Sequence, residues 1–453
     1  MKWTNIFQLP LLFFSGTNDA KSLLAKNGAP DPGTLPYNDD LIAFLREERE
    51  SGRAIILTTS GDRLIAEQVS RHLDMFDDVI ASDGVTPLLG EEKARVLVDR
   101  FGERGFVFAG NRKSDLPVWN RAKAAVLVNA SSALHRAVSM SVPVEREFRN
   151  RKSVVMELIR SIRPYQWVKN ILVFIPPIAA HQILEKTGLF PTFIVFAAFC
   201  AAASGTYLIN DFLDLEADRA HPRKRHRPFA CGGLPLQYGL FGPSLLVAAL
   251  GITLVVSPGV FLVLLSYIVL SLVYSKHIKI IPLMDVFCLA ALYVLRIIAG
   301  GISSGSYASV WLLNFSGFLF LSLGFLKRYT EFSQSEMDHP TEKNHRGYTK
   351  SDTLLLNIMG VGSSFISSMV LGIYINSTQA YSSYHTPALL WGIVPLALFW
   401  QCRMWLAANR GLMTDDPIIY ACKDRFSLIV AVFTVLIYVL ASTDLDLGIL
   451  TRR

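Results

Sequence analysis

TYLINDFLDLEADRAHPRKRHRP (206–228) follows some twenty nearly uncharged residues, and within nineteen positions from Asn210 it carries four carboxylates, five Lys or Arg and two His. If the preceding apolar segment continues as helix, Asn210, Asp214 and Asp218 stand at i, i+4 and i+8, with Asp211 on the same side. Three carboxylates so close repel one another, and at a membrane edge solvation is poorer than in bulk water. A cation among them removes that cost. An oxygen-only ligand set favours Mg²⁺, which keeps several waters and bridges carboxylates to substrate phosphates. His221-Pro222 then stops the helix, and Arg223, Lys224, Arg225 and Arg227 offer donors suited to a multiply phosphorylated substrate. The competing reading is an acidic helix end paired with its own basic loop.

The elements that must hold this stretch are mostly apolar. The chain has 453 residues, 51% of them hydrophobic, and a mean hydropathy of +0.35, which argues against a disordered chain or a plain soluble globule. Charge is ordinary over residues 1–150, and from about 166 long apolar runs alternate with short polar connections. The expected fold is an all-α polytopic membrane domain of nine transmembrane helices preceded by a soluble α/β domain. The spans fall at 166–185, 189–209, 238–256, 259–274, 281–302, 308–326, 353–375, 388–406 and 426–442.

Lys and Arg accumulate in the connections after the second, fourth, sixth and eighth spans, whereas those after the first, third, fifth and seventh hold only Lys186. The positive-inside rule then places the acidic motif and the N-terminal domain in the cytoplasm, and the C-terminus outside a cell inner membrane. It also accounts for the net charge of +7 without a nucleic-acid partner. Five cysteines without paired spacing indicate neither a zinc site nor a disulfide framework. Lys2 and the apolar stretch 6–14 loosely resemble a signal peptide, but Gln8 and Pro10 interrupt it.

Polar residues inside spans are costly and point to function or to buried partners. Arg296 in LYVLRIIAGG is one, expected about 20 Å from its helix start if that span begins near Pro282. Asp285 is about three turns earlier, on the same face. Lys169 in RPYQWVKN and the Lys327-Arg328 pair in FLKRYTEF lie near span ends, where they can also snorkel.

NDFLDLEAD matches in full the N-D-x-x-D-x-x-x-D motif of the UbiA superfamily of intramembrane prenyltransferases, which the membrane half therefore resembles. RPYQWVKNILVF, NDFLDLEADRAHPRKRHRP, PLMDVFCLAALYVLRIIAGG and KRYTEF with HRGYT resemble the decaprenyl-phosphate phosphoribosyltransferases within it. That resemblance implies transfer of a phosphoribosyl group from 5-phosphoribosyl-1-diphosphate to a polyprenyl phosphate in the membrane, with Mg²⁺ on the leaving diphosphate. It implies Asn210, Asp211, Asp214 and Asp218 as metal site, the three Asp being catalytic. Lys169, Asn170, Arg219, Lys224, Arg225, Arg227, Tyr274, Lys276, Asp285, Arg296, Lys327 and Arg328 are the expected substrate-binding set. Prenyl transfer to an aromatic or other small acceptor, a transporter and a catalytically silent scaffold are the alternatives, the last opposed by the complete Asp motif. The second Asp-rich motif of aromatic prenyltransferases has no clear counterpart: Glu331, Glu336 and Asp338 are present without D-x-x-x-D.

Upstream, RAIILTTS, DDVIASDG, GFVFAGN and KAAVLVNAS read as short parallel strands. LTTSGD, the GEEK ending in Lys93, and AGNRKSDLPVW resemble motifs of the haloacid-dehalogenase phosphatases, with Thr58, Lys93, Asn111 and Asp115 as remnants. The nucleophile motif is missing: LPLLFFSGT has Phe13 and Ser15 where two Asp belong, or the chain begins downstream of the true motif. The expectation is an inactive α/β domain over 1–145, a linker over 146–162 and the transferase over 163–453.

Overall fold

The computed structural model describes residues 31–82, 88–149, 153–181, 186–338, 347–349, 351–413 and 416–443. The stretch 6–14 and the LPLLFFSGT string lie outside them. The chain divides into two compact units, Met1–Leu158 with Asp211–Leu236, and Ile159–Asn210 with Gln237–Arg453.

In the first unit, β1 (Ile56–Asp62) pairs in parallel with β2 (Asp78–Ser82). A second sheet has the order β3 (Val107–Gly110), β4 (Ala124–Val128), β5 (Val144–Phe148), again parallel. The intervening helices are α1 (Asp39–Glu50) before β1, then α2 (Arg63–Leu73), α3 (Gly90–Phe101), α4 (Leu116–Arg121) and α5 (Ser132–Ser139). Trp119 on α4 anchors the core: its ring meets Phe108 edge-on at 5.7 Å and its Nε1 donates to the Phe108 carbonyl at 3.0 Å. A buried indole needs such a partner for its N–H.

β5 is the strand that the sequence reading missed, because VEREF offers three charged residues between apolar ones. Its Phe148 is nonetheless buried against Phe44. The span 146–162, expected as a linker, holds the end of β5 and the amphipathic helix α6 (Val154–Ile162).

The second unit is helical. After α7 (Ile175–Ala179) come α8 (Lys186–Leu213), α9 (Leu215–Ala220), α10 (Phe241–Val256), α11 (Pro258–Lys276), α12 (Met284–Ser304), α13 (Val310–Asp338), α14 (Asp352–Ile375), α15 (Thr378–Ser383), α16 (Ile393–Asn409), α17 (Pro417–Lys423) and α18 (Arg425–Ser442), of which α9 and the last turn of α8 belong to the first unit. Among the described residues, eight helices are long and apolar enough to cross a membrane, from Leu189–Leu213 to Arg425–Ser442. They coincide with eight of the nine expected spans. The remaining one, 166–185, is not a single long helix: Pro164–Phe174 is 3₁₀ and leads into the short α7. Prolines at 164, 176 and 177 remove backbone donors and prevent one uninterrupted α-helix.

Helices in lipid associate by close van der Waals packing at small residues. A Cβ on Gly205 of α8 would stand 2.7 Å from the Gly242 carbonyl oxygen of α10. Gly300 of α12 is tighter still, since a Cβ there would stand 1.9 Å from the Val173 carbonyl oxygen. Gly300 therefore seats the 3₁₀ segment, with Lys169 and Asn170, directly on α12. Gly300→Ala should lower the unfolding free energy in detergent by about 1–3 kcal/mol or more. Gly317→Ala, where a Cβ meets nothing within 4 Å, should be neutral or gain up to about 1 kcal/mol. Thermal unfolding of the two variants checks the contrast.

Candidate active site

The acidic motif departs from the expected stripe at one residue. α8 ends at Leu213, Asp214 adopts φ −87°, ψ 12°, and α9 restarts at Leu215. Asn210, Asp214 and Asp218 are thus not on one continuous helix. The break gathers a different pair. Asp211 and Asp218 are both buried, and Arg227 Nη1 donates to Asp211 Oδ1 at 3.0 Å and to Asp218 Oδ2 at 2.7 Å. A single nitrogen stands between these two carboxylates, the contact that the competing reading, an acidic helix end paired with its own basic loop, expects. Burial raises the Asp218 carboxyl above its ordinary value, and Arg227 opposes that shift.

The rest of the basic stretch is dispersed. Arg219 donates from Nε to the Ala230 carbonyl at 3.3 Å, and burial lowers its pKa. Lys224 and Arg225 are exposed in a single 3₁₀ turn. Asn210 donates from Nδ2 to Ser275 Oγ at 2.8 Å, between Tyr274 and Lys276 on α11.

Among the described residues, no three His, Cys, Asp or Glu side chains are grouped to hold a metal. Two converging carboxylates still suit Mg²⁺, which commonly takes one or two carboxylates and completes its shell with water and substrate phosphates. Asp211 and Asp218 would hold the ion.

Among the described residues of the helical unit, three polar clusters hold charged side chains that the sequence reading singled out. In the first, Arg296 is buried and donates from Nε to Asn170 Oδ1 at 2.7 Å, from Nη2 to Tyr267 OH at 3.0 Å, and from Nη1 to the Leu292 carbonyl. Its guanidinium stacks 4.7 Å from the Tyr267 ring centroid, while Asn170 donates to Cys200 Sγ at 3.2 Å. In the second, fully buried Arg328 donates to Asp285, Glu331 and, at 2.6 Å, to Tyr274 OH. Tyr348 OH donates to the other Asp285 oxygen at 2.6 Å. Asp285 and Arg296, expected on one face, share α12 but go to separate partners. Every nitrogen of both guanidinium groups has an acceptor inside the protein.

The third cluster is one that sequence reasoning missed. Asp416 Oδ2 accepts from Lys169 Nζ at 2.7 Å and from Lys327 Nζ at 3.2 Å. Its Oδ1 accepts from Ile418 N at 3.2 Å, capping α17. Burial works against its charge, but the two ammonium groups hold its carboxyl well below the usual carboxylate range. The available signal was an Asp-Pro pair, a helix-start pattern.

In the first unit, Lys93 and Asp115 form a buried pair at 3.3 Å, and Asn111 is exposed. Asn111 lines a cavity of about 710 Å³ with Tyr37, Asp40, Arg112, Asn129 and Gly232. Thr58 Oγ1 is buried and meets no hydrogen-bond partner among the described residues. Glu336 and Asp338 have no described side chains.

The model of the UbiA prenyltransferase family matches residues 173–415, more than half of the chain. The chain belongs to the UbiA prenyltransferase family. Protein y4nM of Sinorhizobium fredii is 32% identical over 433 residues, covering 95% of this chain and 84% of its own. The decaprenyl-phosphate phosphoribosyltransferase of Corynebacterium glutamicum is 39% identical over 188 residues, 40% of this chain and 56% of its own. That of Mycolicibacterium smegmatis is 36% identical over 214 residues, 44% and 65% respectively. The chain thus spans less than two thirds of these two relatives. A UbiA homolog from Archaeoglobus fulgidus, solved bound to GPP and Mg²⁺, has TM-score 0.48 and 17% identity, covering 63% of this chain and 100% of its own. This UbiA-family chain is a transferase and a multi-pass membrane protein.

Arg227→Ala removes the guanidinium that two buried carboxylates share and should cost about 1–3 kcal/mol, discounted because Arg227 is partly exposed. Since one nitrogen makes both contacts, Arg227→Lys should retain part of that stability. Denaturant unfolding without divalent cations checks the order wild type, Lys, Ala.

Proposed function

We propose that this UbiA-family transferase moves a 5-phosphoribosyl group from 5-phosphoribosyl-1-diphosphate to a polyprenyl phosphate, with Mg²⁺ as cofactor. The observation that carries this reading is the Asp211–Asp218 pair held on Arg227, in a chain whose relatives include decaprenyl-phosphate phosphoribosyltransferases. Bound there, Mg²⁺ would supply neutralisation of the leaving diphosphate. Asp211 and Asp218 are assigned as its ligands, with Asn210 and Asp214 as neighbours that orient the motif. Arg227, Lys224 and Arg225 are assigned to donor phosphates.

A lipid phosphate oxygen forms the new bond to the anomeric carbon as the bond to diphosphate breaks. Charge develops at the sugar ring, so positioning and electrostatics dominate. The lipid phosphate is already anionic near neutral pH, and no general base is assigned. Arg296 and Arg328, each with an internal acceptor at all three nitrogens, are assigned to holding the helices rather than to direct phosphate contact.

Lys and Arg in alternate loops support an inner-membrane orientation with the acidic motif and the α/β unit in the cytoplasm and the C-terminus outside. The α/β unit is assigned a structural or docking role, because Asn111 replaces an acid of the phosphatase pattern it resembles.

The test is incubation of labelled donor with polyprenyl phosphate, Mg²⁺ and membrane vesicles of known sidedness. Label enters lipid only where the cytoplasmic face is accessible, chelator stops it, and Asp211→Ala or Asp218→Ala lowers it about 100-fold or more. No free phosphate is released from the lipid product. Incorporation solely from labelled prenyl diphosphate into a small acceptor rejects the reading in favour of ordinary prenyl transfer.

A further inference from the structure

α6 reverses the usual arrangement of an amphipathic helix. A helix on a soluble surface turns its apolar stripe inward and its polar side to water. In α6 the polar residues Glu157 and Ser161 are buried, at 3% and 0% exposure, and both are engaged with partners. Val155, Met156 and Ile159 are exposed instead, at 67%, 57% and 43%. These three share one side of the helix, opposite the side that carries Glu157 and Ser161.

The polar side has a defined seat. A Cβ on Gly233 would stand 3.4 Å from both Cγ and Oε2 of Glu157. α6 therefore packs on the turn after Arg227, whose carbonyl accepts from Cys231 N at 2.9 Å. With Glu157 committed to that seat, the helix cannot rotate to hide Val155 and Met156. A contiguous apolar face left outward in this way marks a surface that something else covers.

Charge and continuity say what covers it. Residues 149–163 hold Arg149, Arg151, Lys152, Arg160 and Arg163 against a single acid, the buried Glu157. Arg160 is exposed directly beside Ile159. An apolar face edged with cations complements a leaflet with anionic headgroups. Only Arg163 separates α6 from the segment Pro164–Phe174 of the multi-pass unit, where Tyr165 and Ile171 are also exposed. Tyrosine is favoured at the headgroup level of a bilayer.

We propose that α6 is an interfacial helix lying in the plane of the bilayer, with Val155, Met156 and Ile159 among the acyl chains and Arg160 on anionic phospholipid headgroups. Its seat on Gly233 holds the turn after Arg227 at headgroup depth. The leaflet is the cytoplasmic one in the orientation proposed above, and only that sidedness rests on the proposed function.

The test is photo-crosslinking of the full chain in nanodiscs of equimolar phosphatidylcholine and phosphatidylglycerol. Met156→benzoylphenylalanine is compared with the same replacement at Met369, an exposed position on the spanning helix α14, and the adducts are identified by mass spectrometry. Met156 should yield lipid adducts within about threefold of Met369. Phosphatidylglycerol adducts at Met156 should exceed phosphatidylcholine adducts about threefold or more, and Arg160→Gln or high salt should bring the ratio towards one.

Adducts at Met156 to a second copy of the chain or to another segment of its own chain would overturn the proposal. So would a position 156 that forms no lipid adduct, or a headgroup ratio that ignores both Arg160→Gln and salt. A chain that crosslinks to lipid as expected but transfers nothing overturns the reaction and leaves the interfacial helix standing.

Discussion

Two buried carboxylates on one guanidinium nitrogen are the interaction on which the acidic motif depends. Asp211 and Asp218 are almost removed from solvent, and their mutual repulsion is not screened as it would be in water. Arg227 offsets it from sixteen residues downstream of Asp211. The break at Asp214 follows from the same demand, because it divides the helix between the two carboxylates that converge. A site organised this way presents two oxygens towards a single point, where Arg227 Nη1 stands.

The same rule of local compensation organises the helical unit. Arg328 is matched by Asp285 and Glu331, and Tyr274 and Tyr348 add one hydrogen bond each, to Arg328 and to Asp285. Arg296 is satisfied by neutral acceptors and aromatic faces instead. Removing one partner of such a network costs far more than the network contributes net, which makes these residues structural anchors as much as candidate ligands. The Lys169–Lys327–Asp416 cluster follows the same rule, one carboxylate oxygen accepting from both lysines.

Much of this was legible in the sequence. Eight spans could be placed because apolar runs of about twenty residues have few other uses. The parallel strands β1 to β4 showed as short apolar segments between amphipathic ones, and the acidic motif stood out by charge alone. What was not legible depends on partners distant in the chain. Nothing near Asp416 indicates that lysines 247 and 89 residues away meet on it. The separate destinations of Asp285 and Arg296 likewise follow from which helices pack against α12, not from their spacing along it. The 3₁₀ form of 164–174 was missed because hydropathy alone cannot distinguish it from an α-helix, although the prolines carried a warning.

The central claim is that Asp211 and Asp218 form a metal–diphosphate site. Electron paramagnetic resonance of Mn²⁺ titrated into the full chain, with and without inorganic diphosphate, tests it most directly. Mn²⁺ should bind more tightly when diphosphate is present, and that binding should be lost when Asp211→Asn and Asp218→Asn are combined. Mn²⁺ binding that ignores diphosphate, or that survives in the folded double variant, would contradict it.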